Sequence, residues 1–211
     1  MYKDDFSPEK ISKTAFFTGH RYLREDQKDL ISSALFQCLN EAYDAGYRKF
    51  FCGCALGFDT LAAFQTVRLR EIHPDAVLSL AIPCESQPDR WSEKDKAVYR
   101  RILEMADEKI VLSPFYYQGA MLTRNRFMAD RSSLCICYLT HARGGTASTV
   151  RYALVHDGIR VVNLAVSDNN ETGLLRESKW NCMFISPSAL KNADTVPLRP
   201  MRQRKMNMRH I

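Results

Sequence analysis

The sequence predicts an α/β, Rossmann-like fold, with a mostly parallel sheet of about six strands and helices on both faces. Between residues 14 and 165, short apolar runs alternate with segments of helical periodicity. The runs are apolar throughout, which is typical of strands that are covered on both faces of a parallel sheet. Glycine-containing turns lie between several runs and the helix that follows, as expected for strand-turn-helix units.

Six runs have the length and composition of strands. They are Thr14–Phe17, Tyr47–Cys52, Val77–Ile82, Lys109–Leu112, Leu134–Leu139 and Arg160–Leu164. A helix is predicted over Asp26–Ala45, ending at Gly46. Its helically spaced apolar positions are Leu30, Ile31, Ala34, Leu35, Cys38, Leu39 and Ala42.

Four more helices are expected after the later strands. The second has an expected buried face of Phe58, Leu61, Ala62, Leu69 and Ile72. The third carries Trp91, Val98, Ile102 and Met105, the fourth runs through Arg124 and Asp130, and the fifth covers 147–157. Residues 180–185 are a candidate for a last short strand.

The stretch from Leu134 to Asp157 organises the predicted fold as strand, glycine turn and helix. Gly144-Gly145 allows the backbone to pass close to a ligand, and Thr146 follows at the expected helix start. The N–H groups and dipole of a first helical turn favour an anion, so we expect a phosphate here. The alternative interpretation of Gly144-Gly145-Thr146 is purely structural, namely a tight turn in which the threonine caps the N-terminus of the helix.

The loops after four predicted strands are expected to converge on one rim, because ligands bind beyond the carboxyl ends of parallel strands. These loops are Gly19-His20-Arg21, 53–59, 117–125 and 144–149. The rim is polar, rich in small residues and cationic.

The length of 211 residues is that of a single domain. We expect a lead-in over 1–13, one domain over 14–190 and a basic tail over 191–211. No apolar run approaches the roughly 20 residues that span a bilayer. The acidic start Met1–Asp5 is unlike a signal peptide, so a soluble, cytoplasmic protein without a membrane partner is expected.

The seven cysteines are expected to be reduced and mostly buried, as in a reducing compartment. Cys38, Cys52, Cys135 and Cys137 lie in apolar segments. The two C-x-C pairs could be imagined as metal ligands, but this spacing in a strand merely places two side chains on one face. No metal is predicted.

Most of the formal charge of +6 belongs to the end of the chain. Arg199, Arg202, Arg204, Lys205 and Arg209 occur there without an acidic residue. Such a tail is usually solvated, and a contact with nucleic acid is the alternative.

Six motifs together resemble the YpsA-like family of the SLOG superfamily, which is named for Smf/DprA and Lonely Guy proteins. They are Thr18-Gly19-His20-Arg21, Gly53-x-Ala55-x-Gly57-x-Asp59, Gln87-x-x-x-Trp91, Tyr117 with Gly119, Arg124-Asn125-x-x-Met128-x-Asp130 and Arg143-Gly144-Gly145-Thr146-x-x-Thr149. The resemblance covers roughly residues 14 to 165. It implies a Rossmann-like domain that binds a nucleotide or a nucleotide-derived ligand and needs no further cofactor.

The Lonely Guy branch of this superfamily implies a possible reaction, hydrolysis of the N-glycosidic bond of a nucleoside 5′-monophosphate. Arg124-x-x-x-Met128 matches the arginine stretch of those enzymes. The glycine turn departs from their pattern, since Arg151 takes the place of the catalytic glutamate. A cation cannot act as the carboxylate that such chemistry needs. Asp59 or Glu85 could replace it only if the fold brings one beside the ribose.

These observations favour binding or sensing of a nucleotide-derived ligand over catalysis. A phosphoribohydrolase or other nucleotide hydrolase is the alternative, and DprA-like binding of single-stranded nucleic acid is the second alternative. A homo-oligomer is possible.

The candidate ligand residues are Gly19, His20, Arg21, Gly53, Ala55, Gly57, Asp59, Arg124, Asn125, Arg143, Gly144, Gly145, Thr146 and Thr149. Arg124 and Arg143 are the leading phosphate ligands, because a guanidinium can bind phosphate oxygens in pairs. Arg124, Asp59 and His20 are the catalytic candidates, should the protein be an enzyme. Tyr117 and Trp91 are candidates for stacking on a base. Each has a structural alternative: a surface ion pair for the arginines, helix capping for Asp59 and packing on the core for the aromatic residues.

Overall fold

The computed structural model describes residue 11, residues 13–156 and 158–165, and the backbone of 183–184. The strands are β1 Thr14–Gly19, β2 Lys49–Cys52, β3 Val77–Ile82, β4 Glu108–Val111, β5 Leu134–Tyr138, β6 Arg160–Asn163 and β7 Met183–Phe184. The α-helices are α1 Lys28–Asp44, α2 Phe58–Ile72, α3 Glu93–Met105, α4 Ala120–Ala129 and α5 Gly144–Val155. A short 3-10 helix, Glu25–Gln27, precedes α1.

The strands form one sheet in the order β4-β3-β2-β1-β5-β6-β7. β1 to β6 pair in parallel, and β7 pairs antiparallel with β6. β1 lies between β2 and β5, so the strand order reverses beside β1. In doubly wound sheets a ligand crevice opens at such a reversal, outside the carboxyl ends of the strands. Gly19 and Tyr138 pair at this end of β1 and β5.

Two buried clusters lie on opposite faces of the sheet. Ala15 and Phe17 of β1 pack with α1, α2 and α3, whereas Phe16 packs with α4 and α5. Because successive strand residues point to opposite faces, both faces of β1 must be apolar. The predicted Rossmann-like fold with helices on both faces is therefore confirmed.

Some element details differ from the sequence-based expectations. The segment predicted as a helix from Asp26 to Ala45 is divided into the 3-10 turn and α1. Ile72 was predicted to be buried but is 57% exposed, because it is the last residue of α2. Leu30, one of the helically spaced apolar positions of α1, is also 57% exposed. β7 falls within the candidate strand over 180–185. The lead-in up to residue 10 and the tail from 191 lie outside the described residues, so the domain limits stay predictions.

The described cysteines Cys38, Cys52, Cys54, Cys84, Cys135 and Cys137 are all buried. Burial in the apolar interior raises the pKa of Cys54 to about 12. No group of three or more histidine, cysteine or acidic side chains could hold a metal ion within the part of the chain that the structure describes. None of the described helices is both long enough and apolar enough to cross a membrane.

Candidate functional site

A cavity of about 430 Å³ opens where the strand order reverses, and we name it the rim cavity. It is lined by Thr18, Gly19, His20, Arg21, Tyr22, Ala55, Met121, Arg124, Asn125, Thr140, His141, Arg143, Gly144, Gly145 and Thr146. The loops after β1, β2 and β5, the first two turns of α4 and the first turn of α5 therefore meet there. This lining contains three arginines and two histidines but no carboxylate.

Arg124 is the most deeply buried cation of the rim cavity, at 5% exposure. Its Nη1 donates to the Gly53 carbonyl and lies 3.8 Å from a carboxylate oxygen of Asp59. Its Nε donates to the Asn125 amide oxygen at 2.7 Å. Among the described residues none accepts a hydrogen bond from Nη2, so this end of the guanidinium is available to a ligand.

Gly53 leaves the space that Arg124 occupies. A Cβ on Gly53 would lie 1.6 Å from Arg124 Nη1 and 2.7 Å from the Asp59 carboxylate. Such separations are far inside van der Waals contact. The glycine is therefore required for the close approach of the guanidinium to the backbone.

Asp59 lies behind Arg124 and does not line the rim cavity. It is 5% exposed and accepts a hydrogen bond from the Ala55 N–H at 3.3 Å. Burial raises the pKa of Asp59, and the Arg124 guanidinium opposes that increase. The structure thus gives this carboxylate an anchoring position, one residue into α2, rather than one on the cavity wall.

A line of hydrogen bonds connects Arg124 to the glycine turn at α5. The Asn125 amide donates to the Thr149 hydroxyl at 2.6 Å, and this hydroxyl donates to the Gly145 carbonyl at 2.9 Å. Thr149 is 1% exposed and does not line the cavity. Its hydroxyl holds α4 against the start of α5.

The start of α5 lacks the usual groups that satisfy a helix N-terminus. Arg143 is the N-cap residue, it makes no side-chain capping bond, and the first turn has no acidic residue. By contrast, α3 has a Ser92 side-chain cap and two acidic residues in its first turn. The structure therefore does not show the threonine N-cap that was the alternative interpretation of Thr146. The first N–H groups of α5 are left for an external acceptor.

The two glycines of this turn differ in their backbone requirements. Gly144 has a φ of 89°, in the left-handed region that favours glycine. Gly145 has no positive φ, and a Cβ added there would meet no atom within 4 Å. The fold leaves open space at Gly145, on the wall of the cavity.

His20 connects the ends of β1 and β5. Its Nε2 accepts a hydrogen bond from the Thr140 N–H at 3.0 Å, and its ring stacks on His141 at 4.0 Å. As an acceptor, Nε2 carries no proton, so a neutral ring holds its hydrogen on Nδ1. Burial lowers the pKa of His20, and the neighbouring His141 lowers it further.

We expect acid to weaken the fold through His20. Because its pKa is lower in the folded state than the unfolded value of about 6.5, protons favour the unfolded chain. The contribution of His20 to stability is present above that value and is lost as the pH falls through the folded-state pKa. Urea unfolding should therefore show a larger loss of stability between about pH 7.5 and about pH 5.5 for the wild type than for His20→Gln. An equal loss in both proteins would contradict this role.

Several predicted site residues lie away from the rim cavity. Gly57 adopts a φ of 79° against the backbone of the loop after β1. Tyr117 is 42% exposed and does not line the cavity. Trp91 packs edge-on against Tyr99, with 5.4 Å between ring centres, and lines a neighbouring cavity.

Sequence reasoning missed five residues that line the rim cavity, namely Thr18, Tyr22, Met121, Thr140 and His141. Met121 could have been found, since it precedes Arg124 by three residues and so shares its helix face. Thr140 and His141 lie beside His20 because β5 pairs with β1. No local sequence pattern predicts which strands will pair when they are far apart in the chain, so these two residues could not be found.

The comparisons with known proteins agree with this architecture. A model of the YpsA family, described as the YspA SLOG family, matches residues 18–157, more than half of the chain. The uncharacterized SPbeta prophage-derived protein YoqJ of Bacillus subtilis is 28% identical over 50% of this chain and 68% of its own length. The UPF0398 protein YpsA of the same organism is 26% identical over 71% of this chain and 96% of its own length.

Two solved structures of DNA processing protein A share the fold. The protein from Streptococcus pneumoniae aligns with a TM-score of 0.55 and 18% identity, over 79% of this chain and 62% of the other. The protein from Helicobacter pylori, described for its single-stranded DNA binding mode, aligns with a TM-score of 0.53 and 18% identity, over 77% and 71%. At 18% identity, this similarity is evidence for a shared fold alone. From the family match, the chain belongs to the YspA SLOG family.

Proposed function

We propose that this protein binds or senses a nucleotide or nucleotide-derived ligand, whose phosphate lies at the Gly144-Gly145-Thr146 turn. The cationic lining of the rim cavity, without a carboxylate, carries this proposal. Arg21 and Arg143 face the cavity and form no side-chain hydrogen bond or ion pair with any described residue. With Arg124 Nη2 and the uncapped start of α5, they supply donors that a phosphate accepts.

Binding is favoured over glycosidic hydrolysis by the position of the carboxylates. Arg151, at the position that resembles the Lonely Guy glutamate, donates to the Ala142 carbonyl in the loop before α5. Asp59 lies behind Arg124, and Glu85 is exposed outside the rim cavity. Neither acid lies on the cavity wall, where a ribose carbon would need stabilisation of developing positive charge.

Gly145→Asp tests this proposal, with Gly145→Asn as the uncharged control of equal size. Both side chains enter open space, but the carboxylate also repels a phosphate and competes for the helix N-terminus. We expect calorimetric titration with ribose 5-phosphate to show at least about tenfold weaker binding for Asp than for Asn, equivalent to about 1.4 kcal/mol. Equal affinities would place the phosphate elsewhere. Nucleoside monophosphates recovered intact after incubation support sensing, whereas release of free base supports the hydrolase alternative.

A second candidate function, binding of single-stranded nucleic acid, is favoured by exposed aromatic rings, one of which lines the rim cavity. Tyr22, Phe115 and Tyr116 are 92%, 78% and 64% exposed, and Tyr22 lines the rim cavity next to Arg21. Cationic grooves with aromatic side chains are typical of surfaces on which bases stack. Fluorescence anisotropy with an oligothymidine should then give an affinity that falls steeply with salt and that drops on Tyr22→Ala. Removal of residues 199–211 separates the tail from the rim as the source of such binding.

A further inference from the structure

His20 and His141 form a stacked pair of imidazole rings on the wall of the rim cavity. Their ring centres are 4.0 Å apart, and their planes differ by 6°. His20 follows β1 and His141 follows β5, so the pair lies beside the reversal of the strand order. Two positive charges at this separation repel each other. The pair is therefore suited to carry one proton charge at most.

His20 is the ring that the backbone holds in its neutral form. Its Nε2 accepts a hydrogen bond from the Thr140 N–H, a donor that cannot become an acceptor. A proton on Nε2 would set two N–H groups against each other and break this bond. Burial lowers the pKa of His20, and the neighbouring His141 lowers it further, in agreement with this geometry.

His141 has a partner that fits both of its protonation states. Its Nδ1 lies 3.2 Å from the Thr140 hydroxyl, which can donate to a bare nitrogen or accept from a protonated one. His141 is also exposed, so a charge on it keeps its contact with water. Of the two rings, His141 is therefore the one that can gain a proton without the loss of a hydrogen bond.

The charges around the pair indicate what would bring that proton. The titratable and charged side chains around it are Arg21, Tyr22, Arg124, Tyr138 and Arg143. Asp59 lies behind Arg124, and no carboxylate belongs to the lining of the cavity. The lining thus offers the pair no counter-charge, whereas a phosphate bound there would supply one. An anion at close range favours the charged form of an imidazole.

We infer that a phosphate bound in the rim cavity draws one proton from solvent onto His141, whose imidazolium then joins the arginines as a ligand of that phosphate. The inference rests on the proposed phosphate position. His20 remains neutral and holds the His141 ring in place through the stack. Because binding takes up a proton, the contribution of His141 to affinity should grow as the pH falls through the neutral range.

Calorimetric titration of the full-length protein with ribose 5-phosphate tests this inference. His141→Gln is the uncharged variant, and it keeps a hydrogen-bonding side chain. The phosphate of the ligand titrates equally in both experiments, so the comparison isolates the histidine. We expect the wild type to bind about fivefold more tightly than the variant at about pH 6 and about equally at about pH 8. Titrations in two buffers of different ionisation heat should show that the wild type takes up an additional fraction of a proton per ligand.

His20→Gln keeps an acceptor oxygen for the Thr140 N–H, so the additional proton uptake per bound ligand should persist in that variant. Loss of this uptake in His20→Gln, or its retention in His141→Gln, would overturn the inference. An affinity ratio between wild type and His141→Gln that is the same at both pH values would also overturn it. Each of these results leaves the phosphate site standing. Failure of ribose 5-phosphate to bind the wild type at either pH would overturn the phosphate site and the inference with it.

Discussion

Replacing Gly53 with alanine is expected to displace Arg124 and to weaken the binding of ribose 5-phosphate about 100-fold. The added Cβ would lie 1.6 Å from Arg124 Nη1 and 2.3 Å from its Cζ, so the guanidinium cannot keep its position. A hydrogen bond to a charged group contributes about 1.5–3 kcal/mol, and the upper part of that range corresponds to about 100-fold in affinity. Calorimetric titration of the purified variant measures this loss.

A double-mutant cycle tests whether the effect passes through the arginine. Arg124→Gln shortens the side chain and removes its charge. In that variant a Cβ at position 53 no longer overlaps a guanidinium. We expect Gly53→Ala/Arg124→Gln to bind ribose 5-phosphate no more weakly than Arg124→Gln alone. Independent, additive losses would show that the alanine acts by another route. Wild-type affinity in Gly53→Ala would mean that the observed position of Arg124 is not needed for binding.

Asp59→Asn is expected to lower the free energy of unfolding by about 3 kcal/mol, because removal of one partner leaves a buried charge uncompensated. Arg124 would keep its hydrogen bonds to the Gly53 carbonyl and Asn125. Urea denaturation should show a lower midpoint with an unchanged slope. Asp130→Asn, directly after the end of α4, is the control, since Asp130 is half-exposed and its loss leaves no buried charge.

Ligand binding by the same variant distinguishes two roles for Asp59. If the carboxylate anchors Arg124, ribose 5-phosphate should still bind to Asp59→Asn, and the phosphate would supply the missing counter-charge. Ligand addition should then recover part of the lost stability. A variant of normal stability that binds no ribose 5-phosphate would instead support a direct contact between Asp59 and the sugar.

The sequence was sufficient to predict the fold, because its evidence is periodic and local. Residues such as Phe16 and Phe17 of β1 face different helices, and this requirement produces the continuous apolar runs that indicated a parallel sheet. The glycine turn at the start of α5 was also predictable, since strand, turn and helix are consecutive. The turn and Arg124 do line one cavity.

The deeper parts of the candidate site could not be predicted from local patterns. Gly53 and Arg124 are 71 residues apart, and no spacing rule indicates that one leaves room for the other. Asp59 has the same sequence context whether it contacts a sugar or anchors an arginine. Trp91 and Tyr117 were predicted together because both lie in or beside loops at the rim, but neither lines the rim cavity. Trp91 lines a neighbouring cavity, and Tyr117 is 42% exposed.

The central position of β1 has a consequence for the order of folding. The His20 ring contacts the Thr140 backbone, although the two residues are 120 positions apart in the sequence. Residues that neighbour each of them line the rim cavity. Loops of this length close slowly compared with neighbouring strand-helix units. A nascent chain that ends before β5 therefore lacks all the lining residues that follow β5, including the glycine turn at the start of α5. A ligand of the rim cavity, as proposed above, would meet its complete site only after synthesis has passed that point, so it would stabilise the finished domain without nucleating its early assembly.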